Sequence, residues 1–256
     1  MFLFDQLIFG PIHSRRLGLS LGVNLLPVDA KICSFNCIYC ECGFNTTMQE
    51  SPIPSREQVR ETLEVKLQEM LAEGQIPDVI TFAGNGEPTL HAEFEGIIDD
   101  TIALRNQYCP TAKVSVLSNS TRVHKPHIFT ALNKVDNNIL KFDSAIDHTM
   151  KLMDQPVAKH LNVAWFIEQL RKFEGRLIIQ TMFLRGEANG EKLDNTTDEE
   201  VEAWLSALEQ IRPQQVMMYS LDREAPTQTL QKVSVEELNR IADKARARGF
   251  DVSVAG

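Results

Sequence analysis

The sequence predicts an α/β protein whose strands curl into an incomplete parallel barrel, a partial (β/α)6 TIM-like barrel in a single domain. Three observations predict it. From about residue 55 onward, apolar stripes at helical spacing alternate with short apolar runs of strand length, the signature of crossover units and a parallel sheet. The segments that follow these runs are rich in Gly, Asn, Glu, Asp and Arg, and such folds carry their chemistry at the carboxyl ends of the strands. The chain has 256 residues, 43% of them hydrophobic and 24% charged, which suits one packed domain of this size. There is no internal repeat, low-complexity tract or linker. Residues 1–256 therefore read as one domain, with 1–27 as an N-terminal extension and 28–254 as the barrel.

The elements follow in order. Ser55 with Gln58 forms a capping box for a helix whose apolar stripe is Val59, Leu63, Leu67, Met70 and Leu71, ended by Gly74 and Pro77. Residues 78–83 read as a strand, 91–108 as a helix stopped before Pro110, and 113–118 as a second strand. A short helix over 126–133 precedes a strand over 138–143. A helix over 162–173 leads to a strand over 176–183. Thr196 to Glu199 reads as a capping box for a helix carrying Val201, Trp204, Leu205, Leu208 and Ile211. A strand over 215–221, a helix capped by Ser234 and a last strand over 251–254 complete the series. With a strand leading into the cysteine-rich loop, about six strands are expected.

Charge and composition exclude several functions. The chain carries 26 Lys and Arg against 35 Asp and Glu, a net charge of −9, which repels phosphate backbones and argues against a nucleic-acid partner. No apolar run is long enough to span a bilayer, so no membrane association is expected. The first sixteen residues have no basic region ahead of their apolar stretch, which argues against a secretory signal and points to the cytoplasm. Five cysteines cannot form a disulfide framework for a domain this large.

Four of the five, Cys33, Cys37, Cys40 and Cys42, fall within ten residues, and Cys109 ends a predicted helix. Cys33-Ser-Phe-Asn-Cys37-Ile-Tyr-Cys40 has the spacing C-x3-C-x2-C. Three thiolates can hold three corners of a cubane [4Fe–4S] cluster and leave one iron open. The alternative is a structural zinc on Cys33, Cys37, Cys40 and Cys42, but such sites draw on two separated ligand pairs.

This loop resembles the signature of the radical S-adenosylmethionine superfamily, in which the open iron binds the amino and carboxylate groups of S-adenosylmethionine. The resemblance extends through Phe9–Gly22, Gly84-Asn85-Gly86-Glu87-Pro88, Ile179–Gly186 and Tyr219–Arg223, roughly residues 8–248. It is to a compact subgroup of iron–sulfur oxidoreductases related to the enzymes that form the wyosine tRNA base. Those enzymes are expected to carry a second cluster on three further cysteines. Here only Cys42 and Cys109 are left over, so one cluster is implied.

The resemblance implies Cys33, Cys37 and Cys40 as catalytic metal ligands, and Tyr39 against the adenine. It implies the Gly84-Asn85-Gly86-Glu87 turn at the methionine end, with Glu87 on the ammonium and the glycines allowing close backbone approach. Ser118 and Asn119 would meet the ribose and carboxylate. Lys141 and Asp143, two apart on a predicted strand, share a face; inward they reach the cosubstrate, outward they form a surface ion pair. Gln180 and Tyr219 are expected in the barrel interior. Arg15, Arg16, Arg185, Asp222 and Arg223 are candidate substrate contacts at the mouth. The implied activity is reductive cleavage of S-adenosylmethionine to a 5′-deoxyadenosyl radical that abstracts hydrogen from a small-molecule or peptide/protein substrate. An external electron donor of flavodoxin or ferredoxin type is required. The rival readings are an activating enzyme that installs a glycyl radical on a partner protein, and a non-catalytic metal-binding module.

Overall fold

The structure is a computed structural model that describes residues 2–14, 18–46, 49–223 and 225–255. Its principal sheet has eight strands. These are β1 (Ile8–Ser14), β2 (Gly18–Val23), β3 (Val79–Phe82), β4 (Lys113–Ser118), β5 (Asn137–Lys141), β6 (Ile178–Met182), β9 (Gln215–Tyr219) and β11 (Val252–Ala255), in the spatial order β1-β2-β3-β4-β5-β6-β9-β11. All neighbours from β2 to β11 are parallel. The edge strand β1 runs antiparallel to β2, with a register shift between Phe9 and Ile12. The outer strands β1 and β11 do not pair with each other, so the barrel is partial, as expected. It has seven parallel strands rather than about six. All seven occur in the expected series: the strand leading into the cysteine loop is β2, which lies inside 1–27, and the last is β11.

Helices α1 (Arg56–Ala72), α2 (Phe94–Tyr108), α3 (Pro126–Lys134), α4 (Asp147–Asp154), α5 (Val163–Arg171), α6 (Asp198–Ile211) and α7 (Val235–Ala247) connect these strands. Four of them, α1, α5, α6 and α7, start at side chains that satisfy free first-turn amides. Ser55 and Gln58 form the reciprocal box, while Asn162, Thr197 and Ser234 accept from Trp165, Glu200 and Glu237 amides. The cap of α6 is thus Thr197, one residue later than expected. The Thr196 hydroxyl is instead engaged with Asp194 and Arg185. The second helix starts at Phe94 rather than 91, because Pro88–Leu90 forms a separate 3-10 turn. A small antiparallel sheet of β7 (Leu184–Ala188), β8 (Glu191–Asp194) and β10 (Gln231–Lys232), in the order β10-β7-β8, was not foreseen.

Strand side chains alternate between the two faces of the sheet. On one face, Ile80, Phe82, Val114, Val116, Leu140, Ile179, Val216 and Met218 join the large core packed with the helices. On the other, Ile139, Ile178 and Met217 form a separate apolar cluster with Leu117 against it. Two residues further along the same strands, on the same face, stand Lys141, Gln180 and Tyr219. The inner face therefore has an apolar floor and turns polar toward the carboxyl ends.

One buried carboxylate ties two helices outside this sheet. Glu200 in the first turn of α6 accepts from the Ser144 hydroxyl at 2.7 Å and from the Thr149 hydroxyl of α4. Burial pushes its carboxyl above the ordinary value of 4.5, and the two hydroxyls only partly counter this. A raised folded-state value favours the protonated form. Its stabilising contribution is complete below pH 4.5 and is lost as pH rises through the folded value. We expect Glu200→Gln, whose amide never ionises, to gain stability on the native protein as pH is raised from about 4.5 to 7. Urea denaturation across that range measures it, and a gap moving the other way would show that the carboxylate is net favoured in the fold.

Candidate active site

At the carboxyl ends of the parallel strands lies a cavity of about 290 Å³. Its wall is drawn from nearly every strand end. The loop after β2 contributes Lys31, Cys33, Cys37, Tyr39 and Cys40. The turn after β3 contributes Gly84, Gly86 and Glu87. Ser118 and Asn119 follow from β4, Lys141 from β5, Gln180 and Met182 from β6, and Tyr219, Asp222 and Arg223 from β9 and beyond. The three thiols predicted as ligands thus share one cavity with most of the residues expected around them.

The cysteine loop is seated by three contacts with distant parts of the chain. Ile32 forms an isolated parallel bridge with Gly86. The Ile32 amide donates to the Asn85 carbonyl at 3.0 Å, and the Glu87 amide donates to the Ile32 carbonyl at 3.1 Å. On the other side, the Asn36 and Ile38 amides donate to the Asp154 and Met153 carbonyls at 2.9 and 3.0 Å. The last carbonyls of a helix have no partner within it, and α4 gives its own to the loop. Asn45 closes the loop from within by donating to the Cys33 and Phe35 carbonyls, both at 3.0 Å.

The glycines of the turn, which also line the cavity, serve this seating. A Cβ on Gly86 would stand 1.8 Å from the Ile32 carbonyl oxygen, and one on Gly84 would stand 2.5 Å from Asn24 Oδ1. Both residues have positive φ as well, +142° and +141°. Asn85, expected at the cosubstrate, does not line the cavity. Its buried side chain accepts from the Phe4 amide at 2.8 Å and donates to the Phe4 and Pro27 carbonyls at 2.8 and 2.9 Å, pinning the N-terminal segment.

The thiols differ sharply. Burial, helped by the Glu87 charge, pushes Cys33 up to about 11. Burial and then Asp154 hold Cys37 well above its ordinary value. Cys40 is lowered to about 5, first by the hydrogen bond from the Cys42 thiol and further by Lys31, while Cys42 rises correspondingly. The Cys42 thiol donates to the Gly84 carbonyl at 3.5 Å. Among the described residues no three His, Cys, Asp or Glu side chains converge on a single-ion site. That geometry does not fit a tetrahedral zinc on the four clustered cysteines. Three thiols spread along one cavity wall fit a cluster in which each sulfur takes a different iron.

Glu87 is buried and joins β3 to β4. Its Oε1 accepts from the Thr89 amide at 3.1 Å, the Thr89 hydroxyl at 2.5 Å and the Ser118 hydroxyl at 2.8 Å, while Oε2 accepts from the Asn119 amide at 2.7 Å. Burial nevertheless raises its carboxyl above the ordinary value. A carboxylate offers about four lone-pair sites, two on each oxygen, so Oε2 keeps acceptor capacity facing the cavity. Asn119 also reaches the cysteine loop, with Nδ2 3.4 Å from Cys33 Sγ and 2.9 Å from Ser34 Oγ.

Tyr39, Lys141, Asp143 and Asp154 form one buried group. The Tyr39 hydroxyl donates to Asp143 and lies 3.2 Å from Asp154 Oδ1, and the Lys141 ammonium donates to that hydroxyl and pairs with Asp143 at 3.3 Å. The ammonium also stands over the Tyr39 ring, 4.7 Å from its centre. Burial alone would lower Lys141, yet the anions around it, led by Asp143, outweigh this and keep it protonated. Burial and then Asp143 raise Asp154 well above the carboxylate range. The Lys141–Asp143 pair is thus internal. Asp143 lies just past the end of β5, however, and does not line the cavity. It holds Tyr39 and accepts from the Met182 amide at 2.9 Å.

At the mouth, Arg223 pairs with Glu41 at 2.9 Å and lies over the Phe2 ring at 5.9 Å, and Asp222 stands 3.8 Å from Lys232. Arg185 does not reach the cavity. It sits on β7 and pairs outward with Glu237 and Asp194. Arg15 and Arg16 lie outside the described residues. Sequence reasoning does not single out Lys31, which lines the cavity, or Asp154 and Thr89, which contact the lining residues Tyr39 and Glu87. Asp154 could be found only once α4 was known to support the cysteine loop. A lysine two residues ahead of the first cysteine carries no sign that it is buried.

No protein-family profile matches the chain. Among solved structures it superposes on a radical SAM methyltransferase from Sphaerobacter thermophilus with a TM-score of 0.67 at 16% identity, covering 92% of this chain and 65% of that one. It superposes on SuiB of Streptococcus suis bound to S-adenosylmethionine with a TM-score of 0.64 at 11% identity, covering 91% and 51%. A structure of TYW1 with a lysine–pyruvate adduct gives 0.60 at 14% identity, covering 89% and 73%. The fold is therefore that of the radical S-adenosylmethionine enzymes, and the resemblance read from the cysteine loop is borne out at that level. Sequence relatives are narrower. A protein named GTPase Obg of Brachyspira hyodysenteriae is 30% identical over 237 residues, 91% of this chain and 32% of that protein. A UPF0026 protein of Helicobacter pylori is 34% identical over 187 residues, 70% and 57%. A UPF0026 protein of Synechocystis is 28% identical over 230 residues, 86% and 77%. The chain thus spans a third of the first of these relatives and just over half of the second. No helix among the described residues is long and apolar enough to cross a membrane.

The seating of the loop can be tested at Gly86. Gly86→Ala drives a methyl group into the Ile32 carbonyl, whereas Gly190→Ala, also at positive φ, has no atom within 4 Å of its Cβ. Overpacking costs ~1–3 kcal/mol beyond the conformational strain that both share. Chemical denaturation should show Gly86→Ala the less stable of the two by about 2 kcal/mol. Equal losses would mean that the cysteine loop moves aside freely.

Proposed function

We propose that this chain is a radical S-adenosylmethionine enzyme that uses one [4Fe–4S] cluster. The observation that carries the reading is the sharing of one cavity by Cys33, Cys37, Cys40 and the buried Glu87 at the carboxyl ends of a partial parallel barrel. When bound and reduced, such a cluster supplies the electron that splits S-adenosylmethionine into methionine and a 5′-deoxyadenosyl radical, which takes a hydrogen from the substrate. Cys33, Cys37 and Cys40 are the ligands, because metal coordination deprotonates thiols that burial would otherwise keep neutral.

Glu87 Oε2 receives the methionine ammonium, a cation that needs an acceptor once it leaves water. Ser118 and Asn119 stand beside it for the carboxylate and ribose, and Lys141 offers a fixed cation from β5. The Tyr39 ring, its hydroxyl tied back by Asp143, presents a face to the adenine. Gln180 and Tyr219 line the inner end of the cavity, while Asp222 and Arg223 at the mouth face a small-molecule or peptide/protein substrate. The electron comes from a separate donor of flavodoxin or ferredoxin type.

Anaerobic reconstitution with iron and sulfide tests the ligand set. We expect ~4 irons per chain. Alanine at Cys33, Cys37 or Cys40 should abolish the cluster, and alanine at Cys42 or Cys109 should leave the iron content intact. The reduced native protein should release 5′-deoxyadenosine from S-adenosylmethionine. Native protein that takes up no iron, or a halved iron content in Cys42→Ala, would overturn the three-thiolate assignment.

Glu87→Gln changes no sulfur ligand and should keep the cluster. Losing a hydrogen bond to a charged group costs ~1.5–3 kcal/mol, roughly one to two decades in affinity for the cosubstrate. Titrating S-adenosylmethionine into the reduced protein and following the paramagnetic signal reads this out. Unchanged affinity would confine Glu87 to joining β3 and β4.

A further inference from the structure

Lys31 is among the largest fully buried side chains, with 1% exposure. An ammonium removed from water costs several kcal/mol unless an anion or several acceptors compensate it. Its Nζ donates to the Gly43 carbonyl at 2.6 Å, a neutral acceptor. Among the described residues the ion pairs at this cavity are Lys141 with Asp143 and Arg223 with Glu41, and neither involves Lys31. Lys141 across the cavity is different, since Asp143 pairs with it directly.

Lys31 lines the same cavity as Cys33, Cys37 and Cys40. The tie from Lys31 to Gly43 spans the cysteine loop from its entry to its exit, which fixes the charge relative to the thiols. A cation in this position interacts most strongly with the most negative state of whatever those thiolates hold.

Resting on the reading proposed above, we propose that Lys31 is the fixed counterion of the iron–sulfur cluster on Cys33, Cys37 and Cys40, and that it raises the potential at which the cluster accepts its electron. The step is a one-electron transfer. The external flavodoxin- or ferredoxin-type donor is oxidised, the cluster is reduced and becomes more negative by one charge, and no bond is made or broken. Lys31 is a tuning residue, since it bonds neither iron nor substrate.

The test is a redox titration of the reconstituted chain without S-adenosylmethionine, following the paramagnetic signal of the reduced cluster. Lys31→Gln removes the charge but keeps a donor for the Gly43 carbonyl, and Lys31→Arg keeps the charge. At the native midpoint, the ratio of reduced to oxidised cluster should fall about tenfold in Lys31→Gln, equivalent to ~59 mV for a one-electron couple. In Lys31→Arg it should stay within about twofold. Loss of iron from Lys31→Gln alone would also support the counterion role, because Lys31→Arg alters the shape of the side chain but keeps its charge. A loaded Lys31→Gln with the native midpoint, or loss of iron from both variants, would overturn it. Failure of the native protein to take up a cluster would overturn the proposed function instead.

Discussion

The rim of this barrel depends on two backbones touching. At Gly86 the turn after β3 lies so close to Ile32 that no side chain fits between them, and the hydrogen bonds from Ile32 to Asn85 and from Glu87 to Ile32 extend the sheet by one short bridge. That bridge places the first cysteine and the buried carboxylate on the same wall. Without it, the loop after β2 would be a long irregular segment carrying three thiols in no fixed relation to the rest of the site. The same contact brings Glu87 near Cys33, whose thiol its charge helps push up, and Asn119 links the two, its amide on Glu87 and its side chain on Cys33.

A second constraint follows from burial. The wall contains more ionisable groups than a solvent-excluded surface tolerates, and each is managed differently. Asp143 and Lys141 neutralise each other, Glu87 is surrounded by four neutral donors, and Asp154 is driven toward its protonated form. Burial raises Cys33 and Cys37, whereas Cys40 is lowered by its contact with Cys42. Perturbed groups concentrated in one cavity are the pattern of a reacting site more often than of a structural one.

Much of this was legible in the sequence. Strand–helix alternation gave the parallel sheet, the C-x3-C-x2-C loop and the Gly84–Pro88 turn marked two arcs of the rim, and Ser118, Asn119, Gln180 and Tyr219 stand where their positions after or at the ends of strands put them. What was missed has tertiary causes. The helix α4 is eight residues long, too short for a periodic stripe to announce it, and its purpose lies in its final carbonyls. β1 is broken by Gly10 and Pro11 and shifts register, so it lacks clean alternation. Asn85 sits inside a motif-like turn yet faces Phe4 and Pro27, and Asp143 lies beyond its strand, where the two-residue period no longer fixes its direction. Arg185 follows β6 in sequence but is carried off by the small sheet of β7, β8 and β10.

The cavity is bounded by contacts of very unequal strength. Its inner wall is tied by buried hydrogen bonds across long sequence separations, such as Asn195 to the Asp143 and Met182 carbonyls at 3.0 and 2.8 Å. Leaving any such group unpaired would cost ~1–3 kcal/mol. Its mouth is joined by the exposed pair of Arg223 and Glu41, side chains 60% and 44% accessible, with Phe2 beneath the guanidinium. An exposed ion pair contributes at most about 1 kcal/mol. A molecule arriving at the mouth therefore displaces weak contacts, while the groups that would orient a cosubstrate stay fixed. The division follows from burial alone. It puts the fixed groups on the wall formed by the turns after β2, β3 and β4, and the displaceable ones on the segment after β9.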